Sequence, residues 1–521
     1  MPSLKLSDKP VLRDDLHVTP DPERQGFVVL EDPLCGHVHT LSPLAAAIAR
    51  CLDGVHTLEE IFSAVAQACQ SPIPPQQGLA LIQDLHQRLL LDDPSLRPEL
   101  ERRQRQRLAL QQARRGAFEV HLGQLHESLA NLDVRPDLRF DCLCCGRCCS
   151  GRFRIQLSPD DQRRLAALDL QGTLGISLTN ALTTRIVGGD DAQKPKVFLR
   201  HDPQGRCVFL DENQRCRIHT HFGFDAKPIG CKLFPYFPII TPRGATLQFR
   251  HECGWRHRSI ASGTNVTTHI DALRQLCAQN LHFVLALPLQ PRLVGARAVP
   301  YDHYDRHRQA WTNTVRQRGW RALLPHVAAD LLQPPPSSPK RALRRIFATV
   351  VDTYLDGAPL LGEEKAAHTF ADVAPEATIM REVLPALLLT LGVVHPDSET
   401  RLQELQDHTQ RILARLSLWP GSDLDPLLDD YTLSFLDGHF AFAAFTVASG
   451  LGLWLLVVMA ARRTWAFFAD DLDQAQPPEL LDAALVAWHM LLFNKEALRA
   501  QLLVEASPEL EQALALAPEL L

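Results

Sequence analysis

The stretch Asp141-Cys-Leu-Cys-Cys-Gly-Arg-Cys-Cys-Ser150 constrains this chain more than any other, because it gathers five of the thirteen cysteines. Four more, Cys207, Cys216, Cys231 and Cys253, follow in Gly- and Pro-punctuated sequence. Thiols at this density serve as disulfides or as metal ligands. The N-terminus, Met1-Pro-Ser-Leu-Lys-Leu-Ser-Asp-Lys9, lacks the apolar run of a secretory signal, so a cytoplasmic, reducing location is expected. Thiolates are soft ligands, and in that compartment metal is the better reading.

A two-residue gap lets a tight turn aim Cys142 and Cys145 at one ion, and Gly146 permits the left-handed backbone that turns amides toward sulfur. Cys142, Cys145 and Cys148 also reproduce the C-x2-C-x2-C part of a ferredoxin-type iron–sulfur loop. Vicinal Cys148 and Cys149 diverge too far for one small tetrahedral site, so one belongs to a second centre or both border a multinuclear one. Softness alone admits zinc or an iron–sulfur cluster. The triple spacing, and more thiolates than the four of a single zinc, favour the cluster. His219, His221, His251 and His257 lie close in sequence, but a solitary histidine is more often a hydrogen-bonded structural residue.

The whole order resembles a cysteine-cluster family of zinc- or iron-chelating proteins related to the flagellin lysine N-methylases, over roughly 138–256. It is carried by Cys142 to Cys149, Gly205-Arg-Cys207-Val-Phe-Leu-Asp211, Cys216-Arg-Ile-His219, Lys227-Pro-Ile-Gly-Cys231-Lys-Leu-Phe-Pro235 and His251-Glu-Cys253-Gly254. The resemblance implies metal ligands at Cys142, Cys145, Cys148, Cys149, Cys207, Cys216, Cys231 and Cys253. On the methylase side it implies methyl transfer to a lysine with S-adenosylmethionine, for which the chain shows no G-x-G-x-G signature. Cys144 is extra to the family pattern, and His219 stands where many members have Tyr.

Residues 1–95 read as a small winged-helix-like domain. Gln25 to Leu41 alternates strand formers around a turn at Asp32-Pro33 to Gly36, a hairpin. Ser42-Pro43 starts a helix, Thr57-Leu-Glu-Glu60 is a capping box for a second with Leu58, Ile61, Phe62 and Val65 on one face, and Pro72 to Pro75 precedes a third. The order Val29-Leu-Glu-Asp32, Leu41-Ser-Pro43, Leu52-Asp-Gly-Val-His-Thr-Leu-Glu-Glu-Ile61 and Leu81-Ile-Gln-Asp-Leu85 is similar to coenzyme-PQQ-synthesis protein D and related peptide-recognition elements. That resemblance implies a peptide or protein partner, added as a strand in a groove between Phe27–Leu30 and the helix around Leu79–Leu90. Cys35, Cys51 and Cys69 sit singly in patterned elements and read as small buried residues.

Residues 96–135 form a basic helical linker, 136–260 the cysteine-cluster domain, and 261–521 an α-helical domain. The expected class is therefore mainly α with small β content. Candidate helices in the last part are His269–Leu287, Lys340–Leu355, Thr378–Leu391, Glu399–Leu416 and Pro478–Leu492, with no phosphate loop, nucleophile elbow or metal-binding His pair. The uncharged run Phe440 to Ala461 is long enough to cross a bilayer of about 30 Å. In a helical region it reads better as a buried bundle helix, so a membrane partner is not expected. A net charge of -6 argues against nucleic acid. The sequence leaves the oligomeric state open.

Overall fold

Local chemistry decides where the N-terminal elements begin. In the computed structural model the Ser42 hydroxyl accepts the Ala45 amide and Pro43 opens helix α1, Pro43–Arg50. Thr57 and Glu60 cap each other reciprocally at the start of α2, Leu58–Cys69, and α3, Pro75–Gln87, begins where the proline-rich break ends. The structure describes residues 5–21, 25–35, 37–105, 122–142, 155–185, 196–202, 206–251, 256–279, 284–332, 399–439, 446–468 and 477–489, with isolated residues such as Gly146, Cys149, Cys253, Leu510 and Glu511.

The chain divides into two compact units: residues 1–114, 154–208 and 353–359 form the first, and 115–153, 209–352 and 360–521 the second. In the first unit, strands β1 (His17–Pro20), β2 (Val28–Asp32) and β3 (His37–Leu41) make an antiparallel sheet with β2 in the centre. Leu30 pairs with Val18 on one side and His39 on the other. This corrects the groove expected at Phe27–Leu30: both edges of β2 are already paired, so a strand could add only at the outer edge of β1 or β3.

Sheet and helices close on Leu30, Ile48, Leu58, Ile61, Phe62, Ile82, Leu85 and Leu90. Close approach of α2 and α3 needs Gly78, since a Cβ there would lie 2.5 Å from the Phe62 ring. Beside this core, buried Arg13 grips Asp32 with bonds of 2.9 and 3.0 Å and donates to the Leu89 carbonyl at 2.8 Å. Cys35 is buried as expected, with burial pushing its thiol up to about 12, but Cys51 is half-buried and Cys69 is exposed at the end of α2. The basic stretch is helical over 97–105, where Glu99 pairs with Arg102 and Arg103. Later in this unit Ser158 and Asp161 cap the helix Pro159–Ala166, and strands Leu182–Arg185 and Lys196–Leu199 pair antiparallel.

In the second unit, the hairpin Tyr236–Thr241 and Gly244–Phe249 takes Leu285–Ala286 as a parallel third strand. Helices Leu125–Ala130 and Ile270–Ala278 cover it, enclosing Leu129, Leu132, Ile240, Leu247, Val266 and Cys277. The helix expected at His269–Leu287 therefore stops at Ala278, because Leu285 and Ala286 are claimed by the sheet.

Helices Tyr301–Arg318, Leu323–Leu331, Glu399–Ser417, Gly421–Asp437, Val447–Phe468 and Pro477–His489 follow in this unit. Of the candidates at 340–355 and 378–391, Ile346, helical and buried, is described, and the rest lies outside the described residues. Val447–Phe468 passes the length and apolarity test for a bilayer span, yet 94% of its apolar window is buried. It packs against Glu399–Ser417, Gly421–Asp437 and Pro477–His489. The fold class is mainly α with small β content.

Candidate metal centre

The chain enters the cysteine loop along a fixed path. The Phe140 amide donates to the Thr264 carbonyl at 3.0 Å, and the Asp141 carboxylate accepts the Thr264 amide at 2.8 Å and its hydroxyl at 3.2 Å. Two residues upstream, Arg256 donates to the Arg139 carbonyl and clasps Asp430 at 2.6 and 2.8 Å, while Arg135 pairs with the same carboxylate. Burial alone would raise the Asp430 pKa, but the Arg256 and Arg135 guanidiniums hold it well below the usual carboxylate range. The run up to Cys142 is thereby tied to the helix Gly421–Asp437.

Past Cys142, Gly146 is left-handed at φ 68°, and a Cβ on it would fall 2.1 Å from Gln214 Oε1. The Cys149 amide donates to the Gly146 carbonyl at 2.9 Å. This loop therefore lies against the second cysteine segment. There the Asp211 amide donates to the Arg215 carbonyl at 2.9 Å and Leu210 bridges Cys216, a tight reversal that delivers Cys216 to the start of the helix Arg217–Phe222. Burial raises the Cys216 thiol, and the nearby Cys149 sulfur raises it further. The His219 and Ile218 amides and the Lys227 ammonium favour its thiolate.

Cys231 is half-buried on the short helix Ile229–Leu233 that Pro228 opens. Cys253, also half-buried, packs against the core under the hairpin. Tyr236 stands beside it: burial raises its phenol, Arg256 lowers it, and Asp141 and Cys253 raise it again. The Tyr236 hydroxyl is buried with no hydrogen-bond partner among the described residues, although a buried O–H normally has one.

The eight predicted ligands are distributed unevenly. Cys142, Cys149, Cys216, Cys231 and Cys253 are described residues of the second unit, and Cys207 belongs to the first, where it bridges His201. Cys145 and Cys148, like Cys144, lie outside the described residues. Among the described residues no three His, Cys, Asp or Glu side chains form a metal-holding group.

What is present still fits a thiophilic metal. The second unit's donors are soft, four of the described ones partly buried, Gly146 admits the close approach of Gln214, and the core cluster that Cys253 packs against holds the orphan hydroxyl of Tyr236.

The neighbouring histidines serve the helices instead. His251 is buried 4.4 Å from Tyr431 and 4.9 Å from His489, ring centre to ring centre, with burial pushing its pKa far down. His257 is fixed by Asp482, which accepts from its backbone amide at 2.9 Å and contacts its Nδ1 at 2.8 Å. A pair missed from the sequence lies elsewhere. His303 and His307, one turn apart on Tyr301–Arg318, bring their Nε2 atoms within 3.3 Å. The signal was His-x3-His, overlooked because that helix has a weak apolar stripe.

A family model named CxxCxxCC, described as a putative zinc- or iron-chelating domain, matches residues 141–258. No curated protein and no solved structure matches the chain. The family match supports metal binding by this segment.

Proposed function

We propose that the cysteines of 142–253 chelate zinc or iron, with an iron–sulfur centre preferred to zinc. The observation that carries the reading is the match of residues 141–258 to a metal-chelating family model, with Gly146 of the first cysteine loop packed against Gln214, two residues before Cys216. Cys142, Cys145, Cys148, Cys149, Cys216, Cys231 and Cys253 are the ligand candidates of the second unit, and Cys207 is that of the first. Seven thiolates exceed the four of one zinc, which is what favours a cluster. A cluster would supply redox or Lewis-acid chemistry. Zinc would supply folding energy alone.

The test is metal analysis with absorption spectroscopy on anaerobically purified protein. A brown protein bleached by dithionite supports the cluster, and stoichiometric zinc without colour supports a structural site. Cys216→Ser should lower metal content and Cys69→Ser, on the exposed end of α2, should not. Metal retained in full by Cys216→Ser would refute the ligand assignment.

A second reading concerns the N-terminal module. Its likeness to peptide-recognition elements, with edge strand β1 largely exposed, favours capture of a peptide by strand addition beside His17–Pro20. Lysine N-methylation of that peptide with S-adenosylmethionine is the enzymatic form of this reading. An assembly role with structural zinc is the non-enzymatic one. Fluorescence anisotropy with lysine-bearing precursor peptides tests the capture itself, and mass spectrometry of the peptide after incubation with S-adenosylmethionine separates the two forms, since an assembly module would leave it unmethylated.

A further inference from the structure

The Tyr301–Arg318 helix carries the sequence Tyr301-Asp-His-Tyr-Asp-Arg-His307. Residues at i and i+4 share a helix face, so His303 and His307 project together. Their Nε2 atoms stand 3.3 Å apart with the rings inclined by 65°. Two nitrogens at about 2.0–2.1 Å from one tetrahedral zinc stand about 3.3–3.4 Å apart, which is the separation found here.

The second nitrogen of His307 is committed elsewhere. Its Nδ1 lies 3.3 Å from the Asp330 carboxylate, which also accepts the Trp311 indole N–H at 2.7 Å. The His307 ring rests 5.6 Å from Trp311, centre to centre. An Nδ1–H given to a carboxylate leaves Nε2 with its lone pair outward, the arrangement that orients histidines on metals. The exposed Arg306 donates to His303 Nδ1 at 3.4 Å, a long bond that ligation through Nε2 gives up as the ring's proton moves to Nδ1.

We propose that His303 and His307 form a surface site for a zinc- or nickel-class divalent cation, bound through both Nε2 atoms, with Asp330 as the positioning carboxylate and water completing the shell. The ring contact has one competing explanation, a single N–H···N bond with His303 as donor. That bond uses the same atoms, so metal and hydrogen bond exclude each other.

The proposal shares no residue with the thiolate centre, so the two fail separately. The test is equilibrium dialysis of the full-length protein, as isolated, against Ni2+, followed by total metal analysis. The wild type should take up one ion beyond its resident metal. His303→Ala and His307→Ala should each lose that ion and keep the resident metal unchanged. Asp330→Asn should weaken the added ion roughly 10–100-fold. Circular dichroism spectra matching wild type show that the variants fold, and His303→Gln, retaining a hydrogen-bonding side chain, serves if His303→Ala does not. Equal Ni2+ uptake by wild type and either histidine variant, or no added ion in the wild type, overturns the site and leaves a hydrogen-bonded ring pair.

Discussion

Residues 16–91 and residues 209–233 are both built from short elements, yet they are held in different ways. In the first stretch, helices of 8, 12 and 13 residues and a three-stranded sheet enclose a shared apolar core. In the second, the helix Arg217–Phe222 buries only Ile218, and Ile229–Leu233 buries Ile229, Gly230 and Leu233. Helices this short are not stable alone, because nucleation is not repaid over one turn. The thiol-bearing stretch must be held from outside itself, by the hairpin core that takes in Ile229 and Leu233 on one side and by whatever its sulfurs bind on the other. Apolar burial can build a module without help; a cysteine segment needs a partner.

The largest effect expected is that of metal removal. Stripping the protein under anaerobic, reducing conditions should leave amides of 209–233 unprotected from hydrogen exchange while β1–β3 and α1–α3 keep their protection. Structural thiolate sites supply about 10–16 kcal/mol in small zinc domains. Unchanged protection of 209–233 in the stripped protein would break the comparison.

Next comes Asp430→Asn, which leaves Arg135 and Arg256 buried without their counter-charge. The expected loss of stability, read by denaturant unfolding, is about 3–5 kcal/mol. The same pair sets an acid limit. The Asp430 pKa is lowered in the folded state, so its contribution is complete above the unfolded carboxylate value of about 3.9 and fades as pH falls below it.

Ile82→Ala should cost about 2–5 kcal/mol in the N-terminal module, where Ile82 is fully buried, with metal content unaltered. Metal lost from that variant would mean that the two stretches are not independent. The smallest effect belongs to Tyr236→Phe, which removes the orphan hydroxyl beside Cys253. Metal should stay bound but exchange into a chelator about tenfold more readily.

The parts of the fold that announced themselves in sequence are those with local chemistry. Ser42-Pro43 and the Thr57–Glu60 box each mark an observed helix start, and Leu58, Ile61, Phe62 and Val65 are the buried face of α2. Strand β1 escaped notice because its four residues are mostly exposed and carry no alternation. The Tyr236–Phe249 hairpin was hidden by prolines and by a pattern buried on both faces. At the candidate centre, cysteine spacing gave the residue types but not their neighbours. That Tyr236 adjoins Cys253, or that Asp430 secures the loop from some 290 residues away, depends on tertiary contacts no spacing encodes.

The fully covered helix Val447–Phe468 has a consequence for synthesis. The ribosome emits Glu399–Ser417 and Gly421–Asp437 first, so two of its covering surfaces await it, but Pro477–His489 arrives only afterwards. Until then the nascent chain displays a greasy rod to every chaperone and translocation factor that scans for one. Burial of this helix therefore waits on the release of Pro477–His489 from the exit tunnel, and slower release lengthens its exposure.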